Sequence, residues 1–261
     1  MALLSVDYIL AAFLIFVRVS SLIMTAPYFS SATFPVQIKI FFSLITSILL
    51  YPVIPAENVM IPTDSGMVFI GTTIIIEVLV GVAMGMIGQL VFAGLEMAGR
   101  LISLKIVLGF ASVVDTMTQQ QSTAVSNLFS MIAVLVFLSI DGDKIYITAL
   151  ARSFEIIPLS QADIHLVGPY MLDTAVYLFM IAVQICSPFI IVIFLLDLAL
   201  AIFARIMPQA NIMFIALPIK LGVGFILLLF VAPYLPTVFE MMILQLFDFL
   251  DNTLQIMSPF N

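Results

Sequence analysis

The sequence predicts an all-α membrane protein of polytopic helical hairpins, and three observations carry that prediction. The 261 residues are 64% hydrophobic and only 9% charged, which leaves too little polar surface for a water-soluble domain of this length. Apolar runs cover about 8–34, 38–56, 67–95, 124–140, 174–204 and 212–235. Most are long enough to span, since about 20 residues at about 1.5 Å each cross about 30 Å of hydrocarbon. Barrel strands would alternate apolar and polar residues, whereas Phe189 to Leu196 is almost unbroken.

The remaining segments follow in order. No Pro/Gly/Ser-rich or charged linker divides the chain, so 1–261 reads as one membrane-type domain. The first apolar segment lacks a basic flank, Asp7 preceding it and Arg18 lying inside it, and reads as a retained helix rather than a signal peptide. The run 101–114 is too short to span and is expected to be re-entrant, tilted or buried in protein. A final amphipathic piece covers 237–257. The connections 55–65 and 141–168 read as solvated loops or interfacial helices. The connection 112–123 is different in kind: polar yet almost uncharged, with Thr116, Thr118, Gln119, Gln120, Gln121, Ser122 and Thr123.

Charge is sparse and scattered. The basic residues Arg18, Lys39, Arg100, Lys105, Lys144, Arg152, Arg205 and Lys220 stand as singles, so loop charges set no orientation and no patch could neutralise several phosphates of a nucleic acid. Arg18, Glu77, Asp197, Arg205 and Lys220 fall in or beside apolar runs. At mid-membrane each would cost about 2.5–3.5 kcal/mol, against about 0.3–0.6 kcal/mol gained per Leu, Ile, Val or Phe. The helices can therefore insert, but each charge requires a partner in a neighbouring helix, a neighbouring subunit or a wet passage.

Glu77, Gly81 and Gly85 lie four apart on one helix face, with Gly88 close by, which permits close approach of another backbone; chance spacing is the alternative. Asp197 and Arg205 are two turns apart, too far for a direct bond, and read as an ion pair with another chain or as part of a relay. Pro208, Gln209 and Asn211 mark a turn between two apolar runs. The lone Cys186 reads as a small hydrophobe, and the lone His165 as a surface residue. No metalloprotease, nucleophile-elbow or phosphate-loop pattern occurs, so neither catalysis nor a cofactor is expected.

Several blocks together resemble the FliR family of flagellar export proteins and its virulence-secretion relatives. They are Gly94 to Ile102 leading to Gly109-Phe110-Ala111 and Asp115, the Asp141-Gly142 turn, Ser153-Phe154 with Ile157-Pro158-Leu159, and Arg205 to Asn211 with Pro218 and Lys220 beyond. Their order extends over some two-thirds of the chain. Where the family often has Asp-Pro, this chain has Asp115-Thr116.

The resemblance implies a non-enzymatic subunit of a helical export gate in the bacterial inner membrane, housed in the flagellar basal body and lifted largely out of the lipid plane. One copy would complete a ring with FliP and FliQ, with FlhB as a further partner, around a path for unfolded flagellar proteins. About 1–170 would pack like FliP and about 171–261 like FliQ. The connection after the Gly-Phe-Ala block would plug the closed pore, which maps here to Gly109, Phe110, Ser112, Asp115, Met117, Thr118, Gln119, Gln120 and Gln121. The alternatives are the equivalent virulence-type subunit and, in another class, a secondary transporter, although no internal repeat supports the latter.

Overall fold

The computed structural model describes residues 6–27, 29, 34–55, 58, 66–106, 123–209 and 211–259. Among them are eight α-helices and no strand: α1 (Val6–Thr25), α2 (Val36–Leu50), α3 (Met67–Lys105), α4 (Ala124–Ser139), α5 (Gly142–Ile156), α6 (Val167–Ile206), α7 (Ile212–Val231) and α8 (Leu235–Ile256). A single 3-10 turn, Ala232–Tyr234, joins α7 to α8, where Pro233 and Pro236 each remove a backbone donor. Four helical stretches are long and apolar enough to cross a membrane, five if the bent pair α4 and α5 is one broken span.

The structure adds detail to two sequence expectations. The short run at 101–114 does not start a separate element, because its first residues complete α3. One buried stripe, Thr73, Glu77, Val80, Met84, Ile87, Val91, Leu95, Ala98 and Ile102, runs the helix length at helical spacing. Arg100 does not interrupt it, being held by Glu96 one turn earlier at 3.3 Å. The connection 141–168, read as solvated loops or interfacial helices, carries a helix with a buried face. Asp141 takes the left-handed conformation, φ 59°, and starts α5, which buries Ile145, Tyr146, Ala149, Leu150, Ser153 and Phe154 along one face.

Contacts group the chain into two units, neither contiguous in sequence. The first contains Met1–Val91, Asp141–Thr174 and Ile243–Asn261. Its core draws on Leu14, Ile15 and Leu22 of α1, Met84 and Ile87 of α3, Leu150 and Phe154 of α5, and Leu246, Leu250 and Leu254 of α8. Arg152 of α5 meets Asp251 of α8 at 2.9 Å, and the Asp163 N–H donates to the Met257 carbonyl at 3.0 Å, which fastens the end of α8. The second unit contains Phe92–Ile140 and Ala175–Met242. There Phe129 packs edge-on against Phe239, with ring centroids 5.3 Å apart, and Phe92 against Phe137 at 5.7 Å.

α2 is amphipathic in the reverse of the soluble sense. Its buried residues are Lys39, Ser43, Thr46, Ser47 and Leu50, while Phe41, Ile48 and Leu49 are exposed. Ser43 and Ser47 bond the carbonyls one turn back on their own helix, so the polar face is satisfied where it is buried. A face that is apolar outward and polar inward is stable only where the surroundings are apolar.

α6 also carries a proline without ending. Pro188 cannot bond the Gln184 carbonyl, but the Ser187 hydroxyl donates to that oxygen at 2.7 Å and restores the lost bond. The helix therefore continues to Ile206, where the turn through Pro208 and Gln209 leads to α7.

The glycine face of α3 sets how near α1 approaches. A Cβ at Gly81 would strike Ser21 and the Arg18 carbonyl, and one at Gly85 would strike Thr25. Gly81→Leu is expected to destabilise the protein by about 1–3 kcal/mol, whereas Gly222→Ala, with nothing within 4 Å, leaves it unchanged. Thermal aggregation midpoints of the two variants in detergent check this.

Candidate functional site

The charges that sequence alone leaves without partners fall into two places. The first is the centre of the first unit. Arg18 lies in the middle of the buried stripe of α1, between Leu14 and Leu22, and Glu77 lies in the stripe of α3. Both are fully buried, and Arg18 Nε meets Glu77 Oε2 at 2.6 Å. The close approach that Gly81 and Gly85 allow is what brings them together.

The rest of the guanidinium is also used. Its NH1 nitrogen donates to the Ser153 carbonyl at 3.0 Å, the Ser153 hydroxyl at 3.2 Å and the Ile157 carbonyl at 3.1 Å, and NH2 donates to Ile157 as well. The guanidinium carbon stands 4.2 Å from the centroid of the Phe154 ring. The other carboxylate oxygen of Glu77 accepts the Ser160 N–H at 3.0 Å, and Ser160 adopts φ 69° to present it. Ser153 and Ile157 end α5, so the cation sits at the negative end of that helix.

One ion pair thus joins α1, α3, the carbonyl end of α5 and the following turn. A buried pair with all its hydrogen bonds made is tolerated, while removal of one partner leaves an uncompensated charge. With these bonds made, the junction holds structure in place.

The second place is the α6–α7 hairpin. Asp197 of α6 pairs with Lys220 of α7, so its counter-ion lies on the next helix of the same chain and not on Arg205. Arg205, Pro208, Gln209 and Asn211 are exposed around the turn. The hairpin is otherwise apolar and barely covered, few residues of its apolar stretches being buried. Phe214, Leu229 and Phe230 are exposed.

Gly88 faces the Tyr146 hydroxyl and Pro27, completing the glycine face begun by Gly81 and Gly85. Cys186 is buried and His165 exposed. Gly109, Phe110, Ser112, Asp115, Met117, Thr118, Gln119, Gln120 and Gln121, the expected plug, lie outside the described residues. Sequence reasoning quoted Ser153 and Ile157 only within a family block and did not single out Ser160, because all three act at least in part through backbone groups that no pattern of side chains reveals. It also missed the Arg152–Asp251 pair, whose members are 99 positions apart in the chain and become neighbours only through the fold.

Arg18→Leu or Glu77→Leu alone is expected to cost about 3–5 kcal/mol, and the double substitution Arg18→Leu with Glu77→Leu much less, since it buries no lone charge. Denaturant midpoints of the three variants provide the measurement.

Residues 9–246 match the family described as bacterial export proteins, family 1. The chain is 31% identical over 254 residues to the flagellar biosynthetic protein FliR of Pectobacterium carotovorum, covering 97% of this chain and 96% of that protein. To the FliR of Caulobacter vibrioides it is 30% identical over 218 residues, 83% of this chain and 86% of that one. To the FliR of Escherichia coli it is 29% identical over 234 residues, 89% and 88% respectively.

Proposed function

This chain belongs to the FliR family of bacterial export proteins, and on that premise we propose that it helps build, and plugs, the channel through which unfolded flagellar proteins cross the inner membrane. It is a membrane subunit of the flagellar export apparatus. The flagellar name borne by its relatives favours flagellar over virulence-type cargo.

The observation that carries the assembly reading is the uncovered α6–α7 hairpin. α6 has 40 residues, about 60 Å at about 1.5 Å each, and α3 has 39. Either is about twice the length that hydrocarbon of about 30 Å can cover. With Asp197 and Lys220 paired and its apolar faces bare, the hairpin is suited to other apolar helices, and FliP, FliQ and FlhB are the partners proposed to supply them.

The plug is assigned to Gly109 to Gln121, between α3 and α4. Phe110 and Met117 supply apolar obstruction, and Thr118 with Gln119, Gln120 and Gln121 supply hydrogen bonds weak enough to exchange when cargo enters. Deleting 112–121 is expected to raise leakage of small solutes through the assembled gate, and unchanged leakage would refute the plug.

Produced alone, the chain is expected to aggregate, and produced with FliP and FliQ to purify as one monodisperse complex. Size-exclusion chromatography with light scattering distinguishes the two, and a folded, monodisperse solo chain would count against the assembly.

A further inference from the structure

A groove runs between α1 and α2, within the first unit. Ile9, Phe13 and Phe16, at helical spacing, form its α1 wall, and Leu44 and Ile48, one turn apart, form its α2 wall. No charged residue lines it. The hydroxyl of Ser47, on the α2 side, already donates to the Ser43 carbonyl at 2.6 Å. The remaining polar groups stand together at one end. Tyr8 lies in the first turn of α1 and Tyr51 caps the C-terminus of α2, with ring centroids 6.4 Å apart. The groove therefore starts at a pair of phenols where both helices end and continues inward as bare hydrocarbon wall.

Size and polarity select what can fill it. Water is a poor occupant, because apolar walls give it no hydrogen-bond partners. The groove encloses about 550 Å³, and from Tyr8 to Phe16 it extends about 12 Å at about 1.5 Å per residue. Its mean cross-section is then about 45 Å², whereas a helix with its side chains, about 10–12 Å across, needs about 80–110 Å². A partner helix does not fit; a polymethylene chain, one CH₂ wide, does. The groove also opens in the right direction. Ile48 belongs both to its wall and to the exposed face of α2 that carries Phe41 and Leu49. That face is stable where its surroundings are apolar, so the groove communicates with hydrocarbon along its side.

We infer that the α1–α2 groove is a binding site for one acyl chain of a membrane phospholipid, whose ester and phosphate oxygens meet the hydroxyls of Tyr8 and Tyr51. The two tyrosines are suited to that level of a bilayer, each having an apolar ring and a polar tip. The chain lies inward of them against Phe13, Phe16 and Ile48, where it restores the dispersion contacts that an empty groove would forfeit. Since neither Lys nor Arg lines the groove, the site recognises the chain and the oxygens common to phospholipids, and not the charge of a headgroup.

The test uses the full chain, produced with its partner subunits and placed in vesicles of phosphatidylethanolamine and phosphatidylglycerol. A trace of one lipid or the other carries a photoreactive diazirine midway along one acyl chain. After illumination and digestion, mass spectrometry is expected to find Phe13, Phe16 and Ile48 labelled above Phe41 and Leu49, and equally with both lipids. Ala12 is exposed in the groove, and Ala12→Phe places a ring in the space of the chain. It is expected to lower groove labelling about tenfold, since two groups cannot pack in one volume, with labelling of Phe41 and Leu49 unchanged. Should Ala12→Phe fail to assemble, Tyr8→Phe with Tyr51→Phe keeps both walls and is expected to lower groove labelling about twofold to tenfold through the lost hydrogen bonds. Groove labelling no stronger than that of Phe41 and Leu49, or untouched by these substitutions, shows bulk lipid and overturns the site. Groove residues left unlabelled also overturn it and give the space to side chains of a partner subunit. Labelling by phosphatidylglycerol alone overturns recognition through the uncharged tyrosines.

Discussion

The contact between Arg18 and Glu77 is the interaction on which the first unit depends. It is possible only because α1 and α3 approach closely at Gly81 and Gly85, and once made it determines where α5 must end. A guanidinium offers more donors than one carboxylate can accept, so the remainder go to the carbonyls of Ser153 and Ile157. The Ser153 carbonyl already accepts the Ile157 N–H and has a second lone pair to offer, and Ile157 lies just past the helix end, where carbonyls lose their intrahelical donor. Two deficits, a cation with spare donors and a helix end with spare acceptors, are thereby met at one point. The left-handed Ser160 serves the same junction by turning its N–H onto the second oxygen of Glu77.

Around this polar centre the core is apolar, and much of the outer surface is apolar too. Hydroxyls are repeatedly bonded to carbonyls of their own helix, as at Ser43, Ser47, Thr73, Thr174 and Thr253, which leaves few polar groups in need of water. α2 buries its serines and exposes its phenylalanines. The α6–α7 hairpin extends the same principle, pairing Asp197 with Lys220 and leaving the remaining surface almost wholly apolar. For a single chain in water such a surface would be an aggregation hazard. For one member of a helical membrane assembly it is the ordinary condition.

The fold class and the existence of most helices were legible because apolar run length is a direct readout of the surrounding solvent. Boundaries were less so. α3 reads as two pieces until the spacing of Thr73 through Ile102 is followed across Arg100, whose pairing with Glu96 removes the apparent break. α5 was hidden because its polar residues, including Asp143, Lys144 and Arg152, mask the buried stripe of Ile145, Ala149 and Phe154. The charged residues of the site could be named from composition, but their pairing could not. Arg18 and Glu77 are 59 positions apart, and nothing in either segment specifies the other. The hydrogen bond from Ser103 of α3 to Thr123, the residue that caps α4, was illegible for the same reason, since Thr123 reads as the end of a polar loop until Ser126 is recognised as its capping partner.

The separation of Arg18 from its partners also has a meaning in time. A chain made at about 5–20 residues per second presents Glu77 about 3–12 s after Arg18, and Ser153, 135 positions on, about 7–27 s after it. Throughout that interval α1 carries a guanidinium with no counter-ion. At mid-membrane the unpaired group costs about 2.5–3.5 kcal/mol, a cost lessened when its aliphatic stem extends toward the headgroups. α1 therefore gains its counter-ion only after α3 has been made, and the remaining acceptors only after α5.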